Sequence, residues 1–274
     1  MGMQSARFID STVTIMYYGT DPPEYGGEHI TLDSETEKSD FSWTHIFRLQ
    51  NDAWKDLTEV FVPHVGLVKK TYVTPRRLVA MTLFKEDYRL IPAYLKHYTE
   101  LGVEHFFLYY NKSLGTDPLP ERENVTYIEW PYPYYNEHGH HWAQITAIND
   151  FLYWAKHCAD YVLFNDLDEF IQVPLTLEGD KMCYAFNNRF ITLENPVPSI
   201  QTADDIRRKK FQVFDWSNTF PRRSKCIIST KDVKTMGVHQ TNIPRCTDEN
   251  TQILGEFYHV SNFEGRTRVT SLSP

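Results

Sequence analysis

Three carboxylates in four positions, Asp166, Asp168 and Glu169, follow directly on the apolar run Tyr161-Val162-Leu163-Phe164. Like charges this close repel, and at the end of a buried strand they cost free energy unless something positive joins them. A divalent cation carrying a phosphate-bearing ligand answers that need. Hard oxygen donors suit Mg²⁺ or Mn²⁺, which keep coordination positions open for substrate phosphates. The chemistry to expect is the holding of a phosphate-bearing ligand through a divalent metal. The plain alternative is a solvated acidic turn after a strand. The apolar run that resumes at Phe170-Ile171 weighs against it.

Elements must hold those acids in place. The length of the Tyr161–Phe164 run, its aromatic and β-branched content and its abrupt polar stop predict a strand. Upstream, Leu78–Phe84, His105–Tyr110 and Val125–Trp130 read as further strands. Leu90, Ile91, Tyr94, Leu95, Tyr98 and Leu101 share one helical face, with Pro92 in the first turn and Gly102 as the stop. A second helix runs from about Trp142 to His157. Strands alternating with helices predict an α/β fold with a mostly parallel sheet and flanking helices. Ligands bind such sheets at the carboxyl ends of the strands. That rule gathers Lys85, Glu86, Asp87, Asn111, Trp130 and Asp166 to Glu169 on one rim. Glu86 and Asp87 have a second use, as helix caps. No Gly-x-Gly-x-x-Gly follows the first strand, so no dinucleotide cofactor is expected.

Later segments are thinner. Phe186–Leu193, Phe211–Trp216, Lys225–Ser229 and Phe257–Val260 are strand candidates, and Arg207-Arg208-Lys209-Lys210 reads as a solvated basic run. Residues 1–74 form an N-terminal extension of short strands or turns packed on the main domain, residues 75–274. Within it Thr12–Tyr18 suggests a strand, Gly19–Asp40 reads as loop, and Trp43–Val68 shows no clean period.

Composition sets the bounds. The 274 residues are 41% hydrophobic and 15% aromatic, enough for a packed core, and the net charge of −8 argues against a duplex nucleic-acid partner. Cys158, Cys183, Cys226 and Cys246 have neither metal-finger nor redox spacing and read as reduced. No apolar run is long enough to span a membrane, so a soluble, cytoplasmic protein is expected, with a lost anchor not excluded.

The segments VAMTLFKEDYRLIPAYLKHYTELGVEHFFLYYNKS, QITAIND, DYVLFNDLDEFI and KCIISTKDVKTMGVH, in this order, resemble GT-A-fold glycosyltransferases, in particular the family 2-like group that includes glycosyltransferase family 92. The likeness covers roughly residues 77–260, with Lys85-Glu86-Asp87 where such enzymes often carry Arg-Asn-Glu. It implies a Rossmann-like GT-A domain, a nucleotide-sugar donor, usually a UDP-sugar, a glycan acceptor and a divalent metal, usually Mn²⁺. Asp166 and Asp168 match the family's Asp-x-Asp. Asp168 is expected on the metal, Asp166 on the ribose or a metal-bound water, and Glu169 behind them.

Further roles follow from the resemblance, each beside a structural alternative. His239 matches a histidine that completes the metal site in several enzymes of this fold; a satisfied core histidine is the alternative, and His259 is a second candidate of the same kind. Lys225 faces the diphosphate or else solvent at a strand edge. Thr82, Phe84 and Lys85 line a uracil and ribose pocket and Asn111 reads the base edge, unless Phe84 is plain core. Gln144 and Asn149 stand near the donor sugar, or Asn149 makes a structural amide bond to the sheet. Inversion by direct displacement needs a carboxylate base. Glu178, Asp180, Glu194, Asp204, Asp205, Asp215 and Asp232 are candidates, with Asp205 preferred. Glu137-His138-Gly139-His140-His141 invites a zinc reading, against a mobile loop near the acceptor. Rival functions are a haloacid-dehalogenase-like phosphatase with Asp166 as nucleophile and a non-catalytic glycan-binding protein.

Overall fold

A computed structural model describes residues 3–9, 11–18, 31–39, 42–62, 64–71, 74–115, 117–135, 142–178, 181–194, 200–213, 224–260, 262–263 and 266–267. The chain opens with four strands, β1 (Met3–Ile9), β2 (Thr12–Tyr18), β3 (Thr31–Ser39) and β4 (Ser42–Gln50), and a hairpin, β5 (Glu59–Val62) and β6 (Gly66–Lys69). The main body follows: β7 (Arg76–Phe84), α1 (Ile91–Glu100), β8 (His105–Tyr110), β9 (Val125–Glu129), α2 (Trp142–Ala155), β10 (Ala159–Phe164) and β11 (Glu169–Ile171). Then come β12 (Cys183–Leu193), α3 (Ile200–Arg207), β13 (Phe211–Val213), β14 (Lys225–Ser229), β15 (Thr235–Met236), β16 (Thr241–Ile243), β17 (Thr251–Val260), and the short pair β18 (Asn262–Phe263) and β19 (Arg266–Thr267).

A nine-stranded sheet, ordered β11-β17-β12-β14-β10-β7-β8-β9 with β13 on β12, forms the body. The expected parallel sheet holds for one half. β9, β8, β7 and β10 are parallel, but β14 runs antiparallel to both β10 and β12, and β11 antiparallel to β17. The sheet is therefore mixed rather than mostly parallel. In the first half α1 leads from β7 to β8 and α2 from β9 to β10, crossovers of the kind that parallel strands need. The ladder between β12 and β17 is parallel and slips once: Ala185 faces Ile253 but Phe186 faces Gly255, leaving Leu254 as an extra residue.

The all-apolar strands serve two cores because side chains alternate across the sheet. Leu78, Ala80 and Phe84 of β7 join Phe106, Leu108 and Tyr110 of β8 beneath α1. Val79, Met81 and Leu83 join Phe107 and Tyr109 beneath α2. Ile91, Tyr94, Leu95 and Tyr98 bury the inner stripe of α1, each large apolar side chain contributing roughly 1.5–3 kcal/mol. The caps differ from expectation. A 3-10 turn, Tyr88–Leu90, leads into α1, Asp87 makes no side-chain cap there, and Pro92 sits in the first helical turn. Gly102 ends the helix at φ +93°, a left-handed conformation that suits glycine.

The N-terminal strands form one antiparallel sheet in the order β1-β2-β4-β3. β3 lies inside the stretch read as loop. It is an edge strand that pairs along β4, and its sequence, rich in Ser, Thr and acids, shows no apolar alternation. The unperiodic stretch Trp43–Val68 contains β4 and the β5–β6 hairpin. Phe8, Val13, Ile15, Phe47 and Leu49 pack on Val60, Val62 and Val68 in a separate small core. An ion pair of 2.9 Å between Arg7 and the buried Asp150 ties this sheet to α2, and Tyr109 donates to the same carboxylate at 2.5 Å.

Candidate active site

The acid turn stands where the parallel strands end. β10 stops at Phe164, and Asn165 to Asp168 turn the chain toward β11 at the far edge of the sheet. The turn is closed twice: the Glu169 N–H donates to the Asp166 carbonyl at 3.1 Å, and the Asp166 N–H donates to Glu169 Oε2 at 2.8 Å. Two tyrosines of α1 support it from below. Tyr94 donates to Asn165 Oδ1 at 2.7 Å, and Tyr98 donates to the Glu169 carbonyl at 2.8 Å. Tyr98 Oη also accepts from Asn165 Nδ2 at 2.8 Å and from the Ile171 N–H at 3.2 Å. Burial pushes both phenols well up, so they stay protonated and able to donate.

Antiparallel pairing brings the counter-charge. Phe164 faces Cys226, so Lys225 comes level with Asn165 at the start of β14. Its ammonium lies 2.9 Å from Asp166 Oδ2 and 3.3 Å from Glu169 Oε2, with Lys225 only 2% exposed. The solvent-edge alternative for Lys225 is thereby replaced. Burial works to lower its pKa; Asp166 and Glu169 outweigh burial and hold it above the usual lysine range. Burial pushes the Glu169 carboxyl up to about 7; Lys225 opposes this, while Asp166 and Asp168 add to it.

On the other side His259 joins. Glu169 faces His259 in the β11–β17 ladder. His259 Nε2 lies 3.3 Å from Asp168 Oδ2 and its Nδ1 3.7 Å from Glu169 Oε1, with the ring stacked on Phe190. The result is a chain of alternating groups, Asp168–His259–Glu169–Lys225–Asp166. Asp168 is 3% exposed, whereas the side chain of Asp166 is 33% exposed and is the open end. Gln144 donates to Asp166 Oδ1 at 3.1 Å and accepts from Tyr134 at 3.2 Å.

The other expected site residues divide. Asn149 clamps α2 to β15: its amide donates to the Ile145 and Met236 carbonyls, both at 2.8 Å, and its oxygen accepts from the Met236 N–H at 3.0 Å. The structural alternative for this residue is realised. Asn111 donates to the Trp130 and Tyr132 carbonyls at 2.6 and 2.9 Å, tying two strand ends together. Phe84 is core, stacked on Tyr110 with ring centroids 4.9 Å apart. Thr82 is buried on the same face, and Lys85 is exposed where β7 ends. His239 Nδ1 lies 3.2 Å from the carbonyl of Ser224, next to Lys225. α3 is held to the second half of α1, which runs back from the rim, by an ion pair of 2.7 Å between Asp204 and Lys96. Among the described residues no hydrogen bond or ion pair links Asp205 to the acid cluster. Asp180, Asp215 and Glu137 to His141 lie outside the described residues.

The donor set fits a hard divalent cation in kind. Asp166 and Asp168 offer carboxylate oxygens, and three acids stand against one lysine. Among the described residues no three His, Cys, Asp or Glu side chains converge on one point. Sequence reasoning missed Tyr94, Tyr98, Asn165 and Tyr134. Tyr94 and Tyr98 read as part of an apolar stripe, which their rings are. The four cysteines are free thiols. No described helix is long and apolar enough to cross a membrane.

Comparison with known proteins points the same way as the site. Over 135 residues the chain is 30% identical to the galactan beta-1,4-galactosyltransferase GALS1 of Arabidopsis thaliana, a match covering 45% of this chain and 27% of that protein. The chain therefore spans well under half of that relative's length. The sequence model for glycosyltransferase family 92 matches residues 79–264, a span that holds β7 from Val79 on, both long helices and every residue of the acid cluster. The chain belongs to glycosyltransferase family 92.

Proposed function

We propose that this protein is a metal-dependent glycosyltransferase of GT-A type. It moves a sugar from a nucleotide-sugar donor, a UDP-sugar, to a hydroxyl of a glycan acceptor, with inversion by direct displacement. The acid turn carries the reading, because a buried acidic cluster at strand carboxyl ends suits a cationic, phosphate-bearing ligand. Asp166 and Asp168 would hold a Mn²⁺ or Mg²⁺ ion. When bound, such an ion supplies Lewis-acid stabilisation of charge on a leaving diphosphate. Gln144 orients Asp166, Lys225 keeps positive charge beside it, and His259 fixes Asp168. Thr82, Lys85 and Asn111, at the ends of β7 and β8, lie where the nucleoside is proposed to bind. Asp205 stays the base candidate for the acceptor's proton. A kcat unchanged in Asp205→Asn would remove it.

The relative named above is a galactosyltransferase, so UDP-galactose heads the donors to be tried. A thermal-shift screen of nucleotide sugars with and without Mn²⁺ tests the reading, since a ligand that binds the folded state raises the melting temperature. One donor is expected to stabilise the protein only with metal present, and its transfer is expected to stop in excess chelator. Transfer that survives the chelator would end the metal-dependent reading.

A further inference from the structure

Asp166 is the open acid of the cluster, yet a cation built into the chain already holds it. Lys225 Nζ lies 2.9 Å from Asp166 Oδ2 and 3.3 Å from Glu169 Oε2. The lysine is 2% exposed, and β14 is fixed by its ladder with β10, so the ammonium is held against the open acid. We propose that Lys225 competes with the divalent ion for Asp166, and that a diphosphate ligand resolves the contest by giving the lysine a second anion. The inference rests on the reading of the site given above.

A divalent ion approaching Asp166 meets an ammonium bound to the same carboxylate, and the two cations repel. Metal alone should therefore bind weakly. An ammonium has three N–H donors, and Asp166 and Glu169 take two among the described residues. The third suits a phosphate oxygen. A diphosphate brings negative charge to both cations, so each ligand raises the affinity for the other by the same factor. Lys225 thus couples donor to metal and keeps the site from holding an ion when no donor is present.

The test uses single ligands, because Mn²⁺ and nucleotides associate in solution. Mn²⁺ binding to the full chain is followed by the loss of free-ion electron paramagnetic resonance signal, and UDP binding without metal by calorimetry. Lys225→Met is expected to bind Mn²⁺ alone at least tenfold more tightly than the wild type, and metal-free UDP at least tenfold more weakly. Lys225→Arg should stay near the wild type in both. Lys225→Met leaves Glu169 buried without its partner, so Lys225→Met/Glu169→Gln provides a second variant with the cluster's net charge unchanged. It should also bind Mn²⁺ more tightly than the wild type. Mn²⁺ affinity within twofold of the wild type in whichever of these two variants folds overturns the proposal. If no variant binds Mn²⁺ while transfer still stops in chelator, the proposal fails and the metal-dependent reading stands. If transfer also survives chelator, both fail.

Discussion

Asp168 and Tyr98 show how differently two buried polar side chains serve one turn. Asp168 faces His259 and belongs to the proposed ligand set; Tyr98 holds the backbone that presents it. Asp168→Asn keeps the shape and removes the charge. It should lower transfer by about 100-fold or more with little change in the unfolding midpoint, as read by initial rates and thermal melts. Tyr98→Phe removes one hydroxyl that donates once and accepts twice. Leaving such groups unsatisfied costs roughly 1–3 kcal/mol each, so the variant should unfold at lower urea. The acids were legible in sequence because three carboxylates after an apolar run have few other uses. Lys225 was legible only as a choice between diphosphate and solvent, because a lysine opening a strand looks the same whether water or a carboxylate meets it. Only the antiparallel register of β10 and β14 decides that, and register is a long-range fact.

Elements follow the same rule. β7, β8, β10 and α2 could be read from local pattern, since continuous apolar strands and a helical stripe announce themselves. β3 could not, because a polar edge strand is defined by its neighbour. The mixed half of the sheet was hidden for a related reason: strand direction is set by connections, and those after β11 carry no helical period long enough to reveal it. The junction of β11 and β17 gives a test at this scale. A Cβ on Gly255 would lie 2.8 Å from Val173 Cγ1 and 3.1 Å from Cγ2. Valine is stiff at χ1 and cannot swing aside. Gly255→Ala should cost roughly 1–3 kcal/mol, and adding Val173→Ala should recover part of that loss. Equal destabilisation in the single and double variants, measured by urea unfolding, would count against this contact.

For the whole molecule the acid limb of stability offers a clear sign. His97 lies beneath β11, its Nε2 2.8 Å from the Ile171 carbonyl, and burial lowers its pKa from 6.5 to about 4. The unfolded chain then binds the proton more readily than the folded one. His97 therefore contributes its full stability above pH 6.5 and loses it as pH falls from 6.5 toward 4, by at most roughly 3 kcal/mol. A His97→Gln variant should show a flatter dependence of unfolding free energy across that window. An unchanged slope would mean that other groups govern the acid limb.

One residue in β17 decides what stands next to the acids. Had the ladder continued unbroken from Cys183 facing Thr251, Phe190 would meet Tyr258, and His259 would fall opposite Ile191. Side chains change sides with each step along a strand, so the imidazole would point away from its phenylalanine shelf and from Asp168. Leu254, a core-packed aliphatic residue, is thus what aims a histidine five positions downstream. Shortening the strand by a residue elsewhere between Gly255 and His259 should disarm the centre while leaving every one of its side chains in the chain.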